Sequence, residues 1–561
     1  MSSNTTLSKL TTVLPSWLFA PARTLSVVGI LLGTLFFAAS LTPSLLPRAP
    51  LMQGVLSGCS FAAGYGIGVF SRWLWTYMGF RLPNARFRTN ITWLAGAACA
   101  VIVLIFLWRE AEWQNSVRTL MGLEPVHSAQ PLTVGTIALA VFAVLIVVAR
   151  LFALTFRLLS RWLERYVPRR VSRVIGIFLA VGLFWSIVDG VLFRFGLRVA
   201  DSSFQQFDEL MESGVEKPTD PLSTGSAASL INWDEMGRAG REFISTGPTK
   251  EEMDAYFGAE TLEPIRVFVG LNSAGTAEER AKLALDELKR VGAFERSLLV
   301  IATPTGTGWM DPAATDTLDY LHRGDVATVA VQYSYLTSWL SLLVEPGYGA
   351  ETARALFKEV YEHWTHLPHD SRPKLYVYGL SLGALNSSLS SDVYDIIGDP
   401  YQGALWAGPP FNTPSWRAAT AGRNPGSPAW LPRFRDGSVI RFTDQHNALE
   451  IPGAEWGPMR IIYLQYASDP VTFFDPQSFY RQPAWMYDPR GADVTPELRW
   501  FPIVTFLQLL LDMAAATTAP IGYGHLYSPV HYIDAWAALT DPEGWDAESI
   551  AKLKADFAAR F

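Results

Sequence analysis

Hydrophobic and polar positions divide this chain into two patterns. In the first 198 residues, five long runs almost free of charge each end at an arginine: 24–47, 49–71, 89–108, 132–149 and 174–193. Each approaches the ~20 residues that a helix needs to cross hydrocarbon, so five transmembrane helices are predicted. The interruptions are Pro47 between the first two runs, Arg150 at the end of the fourth and Asp189 in the fifth. Arg150 can snorkel and Asp189 lies within about a turn of its run's end, so neither forbids a crossing. A cleavable signal peptide is not expected, because the first run is long and four more follow.

The pattern changes beyond residue 198. From 199 to 263 the chain is polar and broken by Ser, Thr, Gly and Pro, as in KPTDPLSTGSAAS, and reads as a linker or stalk. Within it, GRAGREF sets Arg238 and Arg241 between glycines, as an anion-binding loop or as a surface turn that pairs with acidic neighbours. From 264 onward short apolar runs alternate with amphipathic ones. Strands are expected at 265–271, 298–303, 326–333, 375–378, 403–407 and 461–466, with helices at 276–291 and 350–366. Continuous apolar strands separated by helices imply a mostly parallel sheet covered on both faces. The stretch 409–459 holds eight prolines together with Trp416, Trp430 and Trp456, and is expected as a cap inserted over the site. Tyr333, Tyr335 and Trp339, near the end of a strand, are candidates to line an apolar groove there. The expected organisation is a helical transmembrane domain (1–198), a linker (199–263) and an α/β domain (264–561).

Charge sharpens this division. The chain has 561 residues and a formal charge of −7, yet residues 1–198 carry 18 Lys+Arg against 5 Asp+Glu, and the remainder 27 against 47. Such asymmetry points to a membrane-facing half and a water-facing half, not to a nucleic-acid partner. Lys9 and Arg23 precede the first run, and arginines cluster after the second and between the fourth and fifth. By the positive-inside rule these regions are cytoplasmic, and five crossings then put the C-terminal domain outside. Cys59 and Cys99 are the only cysteines and both lie in apolar runs, so no disulfide framework or cysteine metal site is available. No cofactor or metal is expected.

The chemistry concentrates in KLYVYGLSLGALNSS, 374–388. An alternating, β-branched and aromatic strand runs into Gly379-Leu380-Ser381-Leu382-Gly383, and a small-residue helix follows. This is G-x-S-x-G in a strand-to-helix turn, and here the sequence resembles the α/β-hydrolase superfamily. That resemblance implies a nucleophile, acid, histidine order along the chain. Asp469 closes RIIYLQYASDP at a strand's carboxyl end and is the expected acid, with Asp475 as the fallback. Of the eight histidines only His525 and His531 follow it. His525, in the Gly-flanked GYGHLY loop, is favoured as the base; His531, after Ser528-Pro529, is expected on a helix in a supporting role. The oxyanion donors are assigned to the amides of Leu382 and, in the loop TGTGW, Thr307, although no HGGG-type loop is present. The glycine loop is not a phosphate loop, since no Gly-Lys-Ser/Thr follows it.

A closer resemblance, covering nearly the whole chain, is to the multi-pass membrane α/β-hydrolases of actinobacteria, through GLSLG, the SDP turn and the GHLY turn. It implies a serine hydrolase or acyltransferase at the envelope, and a tethered outer site favours lipid or glycolipid esters. The competing expectation is a non-catalytic membrane protein whose α/β domain binds lipid or a partner, or a lipid transporter. The Ser–Asp–His order opposes the first of these. The absence of a strongly polar intramembrane group beyond Asp189 and Arg150 opposes the second.

Overall fold

The computed structural model describes residues 25–80, 85–186, 215–335 and 347–560. It forms two compact units, one of N-terminal helices joined by Pro476–Gln482 and Thr495–Asp512, the other of the remaining C-terminal chain.

The first unit holds helices α1 (Val27–Ser40), α2 (Pro50–Tyr77), α3 (Ala85–Leu120), α4 (Pro131–Leu163) and α5 (Arg169–Trp185). Among the described residues three are long and apolar enough to cross a membrane, namely Pro50–Tyr77, Thr89–Leu120 and Pro131–Leu163, fewer than the five expected. The first apolar run falls short because Pro43 bars helix at Thr42 and lacks an amide itself, so α1 ends after 14 residues. In the fifth run α5 is described as far as Trp185, and Asp189 lies outside the described residues. Gly64 and Gly68 let α2 press onto α1. A Cβ at either would stand 2.6 Å from the carbonyl oxygen of Leu32 or Val28, respectively.

A polar cluster is buried between the helices of this unit, centred on Arg48, which marks no more than the edge of an apolar run in the sequence. Arg48 Nη1 donates to Gln53 Oε1 at 2.8 Å, Nη2 donates to the Thr42 carbonyl at 3.0 Å, and Nε lies 3.8 Å from Asp512 Oδ1. Asp512 Oδ2 also accepts the Leu45 amide at 3.0 Å, and Gln508 Nε2 donates to the Thr42 carbonyl. Helix Val504–Ala514 therefore belongs to this unit as far as Asp512, despite more than 460 intervening residues. Its apolar run VTFLQLLLD is too short to announce a place among membrane helices.

The second unit is built on a seven-stranded, wholly parallel sheet: β1 (Ile265–Val269), β2 (Leu298–Thr303), β3 (Val326–Val331), β4 (Lys374–Leu380), β5 (Gly403–Ala407), β6 (Ile440–Thr443) and β7 (Arg460–Leu464), in the order β1-β3-β2-β4-β5-β7-β6. Every residue of β2, β3 and β5 is buried, which is why these strands read as unbroken apolar runs. The stretch 409–459 also supplies β6, the edge strand, in parallel register with β7. Four residues gave β6 too short a signal. Trp416 and Trp406 are buried and tied by their indole nitrogens to Gln465 Oε1 (2.6 Å) and Ser387 Oγ (3.0 Å). The polar stretch ahead of β1 also has structure. Helices Gly237–Ser245 and Lys250–Phe257 form there, and a Cβ on Gly240 would stand 2.3 Å from the Phe268 ring of β1. GRAGREF is thus the start of a helix, with Arg241 buried.

Asp311 caps the helix Pro312–Leu321, its Oδ1 accepting the Ala313 amide at 3.0 Å. Burial pushes its carboxyl up to about 7, against the smaller opposing pull of that amide and of the Tyr532 hydroxyl. The folded form holds the proton more tightly than the unfolded one. This group therefore weakens the fold progressively as pH rises from about 4 to 7, and fully above.

Two outcomes follow. Asp512→Ala, which strands the Arg48 guanidinium in the interior, should cost about 3–5 kcal/mol, read as a lowered melting temperature of the full chain in detergent. An unchanged melt would contradict the pairing. Asp311→Asn should melt above wild type at pH 8 and close to it at pH 4, whereas a difference independent of pH would contradict the assigned protonation.

Candidate active site

The turn after β4 holds a non-glycine residue at positive φ. Ser381 has φ 57° and ψ −126°, a region that non-glycine residues occupy at a cost of about 1–3 kcal/mol. Its surroundings hold it there. The Ser381 amide donates to the Ala407 carbonyl of β5 at 2.9 Å, and the helix Leu382–Ser388 begins at once. The two flanking glycines are required by close approach. A Cβ on Gly379 would stand 2.4 Å from the carbonyl of Gly383, and one on Gly383 would stand 2.2 Å from the Thr303 carbonyl at the end of β2. Ser381 itself is 6% exposed.

Asp469 and His525 meet. Asp469 is fully buried at the start of the short helix Pro470–Phe473, and its two oxygens are saturated. Oδ1 accepts the amides of Val471 (2.8 Å) and Thr472 (3.4 Å). Oδ2 accepts the Thr472 hydroxyl (3.0 Å), the Tyr527 hydroxyl (2.7 Å) and His525 Nδ1 (2.7 Å). A carboxylate only accepts, so Nδ1 carries the proton, and the neutral imidazole leaves Nε2 as an acceptor. That Nε2 is buried and has no hydrogen-bond partner. Burial and the Asp469 charge hold the Tyr527 hydroxyl well above its usual range, which keeps it a donor.

The imidazole is located against the turn that holds Ser381 by Gly408. This residue has φ +51°, and a Cβ there would lie 2.7 Å from His525 Cε1 and 2.8 Å from Tyr527 Cε2. Gly408 directly follows Ala407, whose carbonyl holds the Ser381 amide. Serine and histidine thus flank the same dipeptide at the carboxyl end of β5. His531 is elsewhere, on helix Pro529–Thr540, where its Nδ1 is 2.5 Å from the Tyr466 hydroxyl. The carboxylate hydrogen-bonded to His525 Nδ1 is that of Asp469, the expected acid, and not the fallback Asp475.

The loop after β2 abuts the elbow helix through Gly383. Its Thr305 amide bonds the Trp309 carbonyl and its Gly308 amide bonds the Thr305 carbonyl, while the Thr307 carbonyl accepts from Gln332. The Thr307 amide has no backbone acceptor among the described residues. Leu382, first in its helix, has no intrahelical acceptor for its amide. Tyr333 is buried against Leu382 and Leu385, whereas Trp339 lies outside the described residues.

Sequence reasoning missed Tyr527, Gly408 and Thr472. Tyr527 was within sight, two residues beyond His525 in GHLY, but nothing in a one-dimensional pattern says that its hydroxyl turns toward Asp469. Among the described residues no group of three or more His, Cys, Asp or Glu could hold a metal ion.

Two family models match the chain. Residues 265–553 match that of an alpha/beta-hydrolase family, and residues 41–248 match that of the same family's N-terminal region. Neither curated proteins nor solved structures gave a match. With more than half its length under the first of these, and with a parallel sheet carrying the G-x-S-x-G turn after β4, the chain belongs to the alpha/beta-hydrolase family.

Proposed function

We propose that this hydrolase-family chain is a membrane-anchored serine hydrolase or acyltransferase. Ser381 is the nucleophile, His525 the general base and Asp469 the residue that fixes the imidazole. The observation that carries this reading is the 2.7 Å bond between Asp469 and His525 Nδ1, with Nε2 buried and unpartnered and the imidazole ring packed against Gly408, next to the Ala407 carbonyl that holds the Ser381 amide.

The chemistry follows from these positions. His525 Nε2 takes the Ser381 proton as Oγ attacks an ester carbonyl carbon, and Asp469 stabilises the imidazolium. The negative charge that develops on the carbonyl oxygen is met by the Leu382 amide, with the Thr307 amide as the second donor. Collapse expels the alcohol, which takes its proton from His525 and leaves an acyl-Ser381 ester. Water or an acceptor alcohol then attacks that ester, again losing a proton to His525. The three long apolar helices tether the site, which makes lipid or glycolipid esters the favoured substrates. With the fifth apolar run, 174–193, counted as a crossing after the arginine-rich stretch 150–173, the arginine distribution favours the outer side of the plasma membrane for the α/β domain.

A fluorophosphonate should label the purified full-length chain covalently, and Ser381→Ala should abolish the label while retaining the melting temperature. Undiminished label in that variant would assign the nucleophile elsewhere, and an unlabelled wild-type chain would favour a binding role. A reporter enzyme fused after Phe561 should be active only when exported; cytoplasmic activity would reverse the topology.

A further inference from the structure

Resting on the reading above, we infer that Asp493 is a positioning residue for the proposed reaction, holding the acid turn and the histidine loop in register. Nothing in the sequence singles it out, since it lies in an irregular stretch between elements. In the fold it is 5% exposed and its Oδ2 gathers three donors. The Ser468 amide donates to it at 3.0 Å, the Ser468 hydroxyl at 2.6 Å and Gln445 Nε2 at 3.0 Å.

Each of these donors leads toward the site. Ser468 precedes Asp469, and its Oγ accepts the amide of Gly524, which precedes His525, at 3.0 Å. Gln445 Nε2 also donates to the Gly522 carbonyl in the same histidine loop, at 3.2 Å. One carboxylate therefore joins three segments that are far apart in sequence: the residues after β6, the turn after β7 and the loop 522–525. The polarity of the chain is enforced by charge. An ionised carboxylate can only accept, so the Ser468 hydroxyl must point its proton at Asp493 and offer its lone pairs to the Gly524 amide. Backbone packing holds the Asp493 loop close, since a Cβ on Gly491 would stand 2.1 Å from the Cβ of Ala467. Asp493 touches neither His525 nor Ser381. It acts through Ser468, on the spacing of the groups on either side of a bond that tolerates little displacement. A misplacement of about 1 Å in a reacting group lowers rates about 100-fold.

The test uses the full-length protein in detergent, with a fluorophosphonate labelling rate, kcat and KM on a short p-nitrophenyl ester, and a melting curve for each variant. Asp493→Ala is expected to slow labelling and lower kcat about 100-fold, with KM within about twofold of wild type. Asp493→Asn keeps an acceptor oxygen and should recover about tenfold of that loss. Should Asp493→Ala fail to fold, Ser468→Ala removes the same link and should show the same fall in kcat. Wild-type kcat in a folded Asp493→Ala or Ser468→Ala, or a rise in KM at constant kcat, would overturn the role. So would an Asp493→Asn protein that melts early but turns over at the wild-type rate. These failures would leave Ser381 labelling intact, whereas an unlabelled wild-type chain would overturn the reading of Ser381 and this role with it.

Discussion

Ser381 cannot relax, and much of the second unit's architecture answers to that constraint. A positive φ on a residue with a Cβ is tolerated only where the neighbours over-determine it. Here β5 clamps the Ser381 amide, and two glycines let strand, helix and the end of β2 pass within distances that no side chain would permit. The parallel sheet is what brings those three elements together. β4 lies between β2 and β5, so the turn after it is bordered on one side by the loop of the proposed second oxyanion donor and on the other by Ala407–Gly408.

Around that fixed point the polar groups are few and fully engaged. Asp469 is buried without a cationic side chain beside it, yet it accepts five hydrogen bonds, the number that makes a dry carboxylate tenable. Tyr527 contributes one of these and is kept a donor by its burial and by the neighbouring Asp469 charge. The unpartnered Nε2 of His525 stands out against this background of satisfaction, and a buried acceptor left open is costly unless the site uses it. The helical unit follows the same rule with different groups. Arg48 is surrounded by carbonyls, Gln53 and Asp512, and this shows why a helix from late in the chain is retained there.

Much of this was legible in the sequence, for definite reasons. Strands buried on both faces write themselves as unbroken apolar runs, so β2, β3 and β5 stood at their expected places. The G-x-S-x-G turn has a local cause, and elimination along the chain order left His525 and His531 to choose between. Local flexibility favoured His525, the one that meets Asp469. What stayed hidden depends on long-range pairing. β6 has four residues and is defined by its partner β7. Arg48 and Asp512 have meaning only together. Tyr527 and Gly408 are ordinary residues until the sheet brings them to the imidazole. Among the described residues three helices reach membrane length, and apolar length alone did not reveal that Pro43 ends α1 after 14 residues.

The central claim is that Ser381 and His525 work on one carbonyl carbon. Its most direct measurement is the structure of the full-length protein after reaction with a fluorophosphonate. The account predicts phosphorus bonded to Ser381 Oγ, the phosphonyl oxygen within about 2.7–3.1 Å of the Leu382 amide and His525 Nε2 facing the adduct. An adduct on another side chain, or one on Ser381 with His525 turned away, would contradict it.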